Sequence, residues 1–254
     1  MFKGIDHIVI VVQQLDEAIS SYTRAGFSVV RGGRHPIGTH NALIAFADGA
    51  YLELIAFERP QTGHPWQAAL DRGGGIIDFC MQTDDLAADA DLLRRAGVKI
   101  SDPSSLTRDR PDGYHLSWVL SIPQPPFSGR VPFLINDDTP RDERVPRERA
   151  HKNRVAGIQR VSIAVESPAE TSRYYARVLG YPGTPIQRPD LNAAGVEFTV
   201  GPHSIQLLAQ KAETGPIADW IRARGQCVYE AALKAEAAGR LDRSLLQNAN
   251  LTIA

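Results

Sequence analysis

Cysteine is scarce in this chain: Cys80 and Cys227 are the only two among 254 residues. Two thiols cannot build a disulfide framework, and both sit in apolar strand-like runs, as buried thiols in a reducing compartment do. An excess of one charge is also missing. Lys and Arg number 28 against 29 Asp and Glu, for a net charge of −1 and a pI of 6.7. Nucleic acid and anionic membrane surfaces are bound by strong basic excess, so neither is an expected partner. No run reaches the ~18 apolar residues that a membrane-spanning helix needs. The first residues lack the basic start and small-residue cleavage site of a signal peptide. These absences lead to the expectation of a soluble, cytoplasmic protein. Familiar catalytic signatures are missing too. There is no Gly-x-Ser-x-Gly elbow and no Cys-x-x-Cys, and Gly73-Gly74-Gly75 lacks the helix context of a phosphate cradle. No organic cofactor is expected.

What is present is repetition. GIDHIVIVVQQLD (4–16), GIIDFCMQTDDL (75–86) and GIQRVSIAVESP (157–168) each run from a glycine through an apolar strand to polar residues that can cap a helix. Each is followed by a helix-like stretch ending at Gly26, Gly97 or Gly180, where a left-handed stop is expected. Short β segments come next: FSVV, VKI and YPG. Two further strands complete each copy. In the first these are HNALIAFAD and AYLELIAFE around the Asp48-Gly49 turn. In the second they are HLSWVLSIP and VPFLIND; in the third, AGVEFTVGP and HSIQLLAQ. The unit is βαβββ. CVYEAALKA and NLTIA read as the ends of a fourth, abbreviated copy. Residues 139–155 are dense in charge, hold two prolines and carry no apolar period, so they read as a solvated linker. The expected organisation is a first half over 1–138, this linker, and a shortened second half over 156–254.

Paired βαβββ units that curve into an eight-stranded sheet open on one side resemble the vicinal oxygen chelate superfamily, which includes glyoxalases, bleomycin-resistance proteins and extradiol dioxygenases. The likeness is carried by GIDHIVIVVQQLDEAISSY, GGRHPIGTHNALIAF and GAYLELIAF, and the middle string is similar to a glyoxalase-like subgroup. The resemblance implies an α+β fold of curved mixed sheets. It also implies a small oxygen-rich ligand in the cup of the sheet, and a divalent metal (Zn, Fe, Mn or Ni) held by the first and fourth strands of each unit. The activities it implies are lyase, isomerase or dioxygenase; the other reading is a metal-free cup that sequesters a small molecule.

The superfamily positions fall on His7 and Glu53 in the first unit, and on Asp78 and Phe133 in the second. Phe133 cannot ligate, so the implied metal set is His7, Glu53 and Asp78, with Glu53 also the candidate catalytic residue. Strand alternation groups Ile5, His7, Val9 and Val11 on one face, and Tyr51, Glu53 and Ile55 on another. A glutamate in that apolar company needs a partner, and His7 supplies one directly or through a metal. Taken alone, His7 is a core histidine, and Asp78 is an acid opening a strand. The stretch Arg31–Asn41 reads as a loop before the third strand, with His35 and Asn41 aimed at ligand and His40 facing away. Trp118 reads as core packing or as a wall of the ligand pocket. In the third unit the matching positions are Arg160 and Gln206, a pair unsuited to metal. The second half is therefore expected to be structural or dimerising, which leaves a homodimer open.

Overall fold

The computed structural model describes residues 2–236 and 239–254. Three βαβββ units follow one another. The first comprises β1 (Phe2–Val11), α1 (Leu15–Arg24), β2 (Val30–His35), β3 (Thr39–Ala45) and β4 (Tyr51–Phe57). A short helix, α2 (Pro65–Asp71), leads to β5 (Gly75–Thr83), α3 (Leu86–Arg95), β6 (Ser104–Asp109), β7 (His115–Ser121) and β8 (Phe133–Asp137). After the single turn α4 (Arg141–Arg144), the third unit runs through β9 (Val155–Ala164), α5 (Pro168–Leu179), β10 (Thr184–Arg188), β11 (Ala193–Val200) and β12 (His203–Gln210). Then α6 (Pro216–Arg224) precedes β13 (Val228–Ala235) and β14 (Leu251–Ile253), the abbreviated last unit. The expected α+β architecture of curved mixed sheets is therefore what forms. The helix stops at Gly26, Gly97 and Gly180 have φ of 91°, 97° and 78°, where a side chain would be strained.

The first two units close into an eight-stranded barrel in the order β1-β4-β3-β2-β6-β7-β8-β5. β1 runs parallel to β4 and antiparallel to β5, with Ile8 directly opposite Phe79. That pair marks the pseudo-twofold. It carries His7 to Asp78, because His7 faces Cys80 while Val9 faces Asp78. It carries Glu53 to Phe133, because Val9 pairs with Glu53 and Cys80 with Phe133.

Alternation then sorts the strands. Ile8 and Ile10 face outward into the main core, while Val9 and Val11 face inward with Ile55, Trp118 and Phe133. Each outward aliphatic contributes about 1.5–3 kcal/mol by burial. Ile5 departs from the alternation. A β-bulge between Ile5 and His7 turns it outward with Phe2 and Ile8.

The second half is a six-stranded open sheet, β10-β11-β12-β9-β13-β14. It packs on the outside of β1 and β5 and shares their core. Polar ties fix it there. Ile5 N donates to His203 Nδ1 at 2.9 Å, Tyr22 to Leu246 O at 2.9 Å, and Tyr175 to Arg130 O at 2.6 Å.

Three local readings are corrected. The stretch read as a loop over 31–41 is a hairpin, β2 turning into β3, with a register shift at Arg31/Gly33 that accommodates its glycines. The strand read at VKI contributes only an isolated bridge from Ile100 to Pro123, and the strand proper is β6 further on. The charged stretch 139–155 is not uniformly solvated. Arg144 is 2% exposed and Val145 is buried against Leu43, Ala45 and Tyr51, closing one end of the barrel. Arg144 can be buried because Asp6 and Asp137 answer its charge. Cys80 is fully buried, whereas Cys227 is half-buried just before β13.

Candidate functional site

The barrel interior ends in a small pocket of about 50 Å³ whose floor and walls come from nearly every strand. β1 supplies His7, β2 His35, β4 Glu53, β6 Arg108, β7 Trp118 and β8 Phe133. The bulge in β1 has a direct consequence here. Asp6 is the extra residue, and its Oδ1 lies 2.7 Å from His7 Nδ1. The hydrogen bond at one ring nitrogen sets the role of the other, so His7 Nε2 is left facing Glu53 Oε2 at 3.5 Å. The imidazole is held flat on Tyr51, ring centroids 4.6 Å apart, with Phe133 edge-on at 5.3 Å.

Glu53 is 8% exposed and accepts from Asn41 Nδ2 at 2.5 Å. Burial alone would raise its pKa. The neighbouring His7 and His35 rings, the Asn41 hydrogen bond and the Arg108 guanidinium together lower it from its ordinary value. His35 donates or accepts at Thr39 Oγ1, 2.9 Å away, and stands edge-on to Trp118. Burial, reinforced by the Arg108 charge and opposed by Glu53, pushes its pKa down to about 4, so it is a neutral imidazole at pH 7. Arg108 is 3% exposed, lies over the Trp118 ring at 5.9 Å and donates to Arg144 O at 2.9 Å. Its Nε is buried with no hydrogen-bond partner, and among the described residues no carboxylate makes an ion pair with it. The glycines before the hairpin turn now have a reason: a Cβ on Gly32 would lie 2.1 Å from Asn41 Oδ1 and dislodge the amide from Glu53.

The pocket opens into an outer chamber of about 440 Å³, with Ile37, Trp66, Leu106, Leu120 and Phe133 lining both. Trp66 stands on α2, whose N-cap His64 accepts from Trp66 N at 3.2 Å, so this segment walls the mouth. Asp78 lines this chamber rather than the inner pocket. It is 4% exposed and is bonded to the backbone N–H groups of Phe79 and Gly129; burial pushes its pKa up to about 7.

The structure thus brings His7, Glu53, His35, Asn41 and Trp118 together, and leaves Asp78 apart in the chamber wall. The divalent metal implied by the superfamily does not fit this arrangement as a complete site. His7 and Glu53 offer two donors, Phe133 occupies the fourth corner, and the Arg108 cation lines the same pocket. Among the described residues, the trio of potential ligands whose atoms lie within 4.8 Å of one another is Asp6, His7 and Cys80. Asp6 is already claimed by Arg141 and Arg144, which hold its pKa well below the usual range despite burial.

Sequence reasoning missed Arg108, Asp6, Tyr51 and Arg144 as parts of the site. Arg108 carried a faint signal, two positions after Leu106 in an alternating run. Arg144 carried none, because its partners are remote in sequence.

In the second half, Arg160 and Gln206 do lie on neighbouring, parallel strands of one sheet, but the cation is answered. Arg160 is 3.4 Å from Glu230, whose carboxylate also takes Arg188 at 2.9 Å. Gln206 Oε1 accepts from Ser162 and Arg188.

Comparison with known proteins agrees with this fold. Among solved structures, a hypothetical protein from Staphylococcus aureus is similar over 98% of both chains, with a TM-score of 0.70 and 16% identity. A mutant 4-hydroxymandelate synthase from Streptomyces coelicolor is similar over 93% of this chain and 72% of its own, with a TM-score of 0.64 and 15% identity. In sequence, 115 residues are 32% identical to the nonribosomal peptide synthetase sidD of Aspergillus fumigatus. That match covers 43% of this chain, which spans about 5% of that protein's length. The model of the glyoxalase-like domain matches residues 5–179, which hold all of the barrel but the first three residues of β1, and the start of the second half. The chain belongs to the glyoxalase-like domain family of the vicinal oxygen chelate superfamily.

Proposed function

We propose that the protein binds a small oxygen-rich organic molecule in the cup of the barrel and moves a proton on it, as a metal-independent isomerase or lyase. Glu53 is the base. His7, held by Asp6, is its proton partner. Arg108 stabilises negative charge developing on a substrate oxygen. One observation carries this reading: a carboxylate, two imidazoles and a guanidinium are buried around a single small pocket that opens into an apolar chamber.

The test is proton exchange followed by NMR in D₂O, over a panel of small hydroxyketones, 2-oxo acids and diols. Wild type is expected to exchange a carbon-bound proton of one class. Glu53→Gln is expected to slow that exchange by about 10²–10⁴-fold while keeping a native spectrum. Binding without exchange would leave a sequestering protein instead.

A second reading has its own support. Asp6 orients His7 as carboxylates orient metal-bound histidines, and Nε2 faces Glu53 at a separation a cation could bridge. In that case a chelator abolishes activity and Zn, Fe, Mn or Ni restores it. The proposed reading requires that the chelator has no effect.

A further inference from the structure

The outer chamber is lined by two arginines that make no ion pair with a carboxylate among the described residues: Arg72, an exposed residue that caps α2, and Arg224, half-buried at the end of α6. Arg224 belongs to the second half, and so does Cys227 beside it in the chamber wall. Its guanidinium is built into place. Nη1 donates to Gly74 O at 2.7 Å, Nη2 reaches Arg72 O at 3.4 Å, and the group lies 4.7 Å from the centroid of the Trp220 ring. Trp220 is itself fixed by its Nε1–H, 3.3 Å from Cys227 Sγ.

Two other partly buried arginines, Arg110 and Arg188, are treated differently. Arg110 has Asp112 and Glu143, and Arg188 has Asp190 and Glu230. Arg224 has backbone carbonyls and a ring, which position a cation without cancelling its charge. Burial and the nearby Arg72 charge both oppose it, and its pKa is lowered accordingly. Asp78 lines the same chamber, but its hydrogen bonds go to the backbone of Phe79 and Gly129 rather than to either arginine. Between these cations and the inner pocket the wall is apolar, with Ile37, Trp66, Leu120, Ile122 and Phe133. Arg224 is held in place while the exposed Arg72 brings a second positive charge close to it, and two such charges repel unless an anion joins them.

We propose that the ligand has three parts: an oxygen-bearing head on the His7–Glu53–Arg108 floor, an apolar body in the chamber, and a carboxylate or phosphate at its far end, bound between Arg72 and Arg224. The second half is then a wall of the site and sets its specificity. This inference rests on the reading of the floor given above, and it fixes the substrate class as an amphipathic acid.

The test uses a matched trio: 4-(3,4-dihydroxyphenyl)butanoate, its methyl ester, and the corresponding phosphonate. Each is titrated calorimetrically into the full chain. A charge-assisted hydrogen bond contributes about 1.5–3 kcal/mol, so the acid or the phosphonate is expected to bind roughly 10- to 100-fold more tightly than the ester. Whichever of the two binds more tightly identifies the anion. Arg224→Met and Arg72→Met are expected to bring the acids to the ester's affinity and leave the ester unchanged. The wild-type comparison stands even if a variant fails to fold. If acid and ester bind wild type equally, with both weakened by Glu53→Gln, the anion site is overturned and the floor stands. If none of the three binds, both readings fall.

Discussion

Replacing Arg144 with methionine is expected to cost about 3–5 kcal/mol of stability, the range for removing one partner of a buried ion pair. Its side chain is 1% exposed and that of Asp6 is 0%. Nη1 and Nη2 reach Asp6 at 3.1 and 2.9 Å, Nη1 donates to Tyr51 OH at 2.7 Å, and Nε is bonded to Asp137. Without the guanidinium, Asp6 keeps only Arg141 and His7, inside a barrel end that Val145 seals from water. Urea unfolding at pH 7 measures the loss. The double variant Asp6→Asn with Arg144→Met is expected to recover part of it, because the stranded charge is gone. An Arg144→Met protein that unfolds at the wild-type urea concentration would mean the stretch 139–155 is a solvated linker after all.

The second large effect is expected from Asp78→Asn, and it depends on pH. Asp78 has its folded pKa raised from 3.8 to about 7. The folded state therefore holds a proton that the unfolded state has lost, and stability falls as pH rises from about 4 to 7. His35 works in the opposite direction. Its pKa is lowered from 6.5 to about 4, so the unfolded state binds the extra proton and stability is lost as pH falls through that window. The two nearly cancel in wild type. Asp78→Asn removes the first and exposes the second. At pH 8 the variant is expected to be more stable than wild type by about 4 kcal/mol, from a shift of roughly 3 pKa units at 1.36 kcal/mol each. Near pH 4 the difference should vanish. Chemical unfolding at a series of pH values gives the comparison, and parallel profiles for the two proteins would show that Asp78 is solvated.

The fold was legible because its signals are local and repeated. Strand, cap, helix and glycine stop recur three times, and the offset that matched His7 to Asp78 is the one the barrel's pseudo-twofold obeys around Ile8 and Phe79. The pairing of His7 with Glu53 was legible for a different reason: a carboxylate among Leu52, Leu54 and Ile55 requires a partner. What escaped depended on distant contacts. Arg144 reads as one charge among many in residues 139–155, and only the barrel places it beside Asp6. The bulge that turns Ile5 outward and brings Asp6 to His7 leaves no mark on an alternating apolar run. The hairpin hidden in Arg31–Asn41 carries loop composition because Gly32 must clear Asn41, not because the chain is irregular there. Asp78 stands at its matched position in the barrel, yet it lines the outer chamber, a placement that alternation alone does not give.

The central claim is that the ligand sits in the cup of the first half, on the floor formed by His7, Glu53 and Arg108. Crystals soaked with small diols, hydroxyketones and dicarboxylates test it most directly. The account predicts ligand oxygens against Glu53, His7 and Arg108, with the body of the molecule in the chamber beside Trp66 and Phe133. Ligand found only on the second sheet near Arg160 and Gln206, with nothing at His7, Glu53 and Asn41, would contradict it.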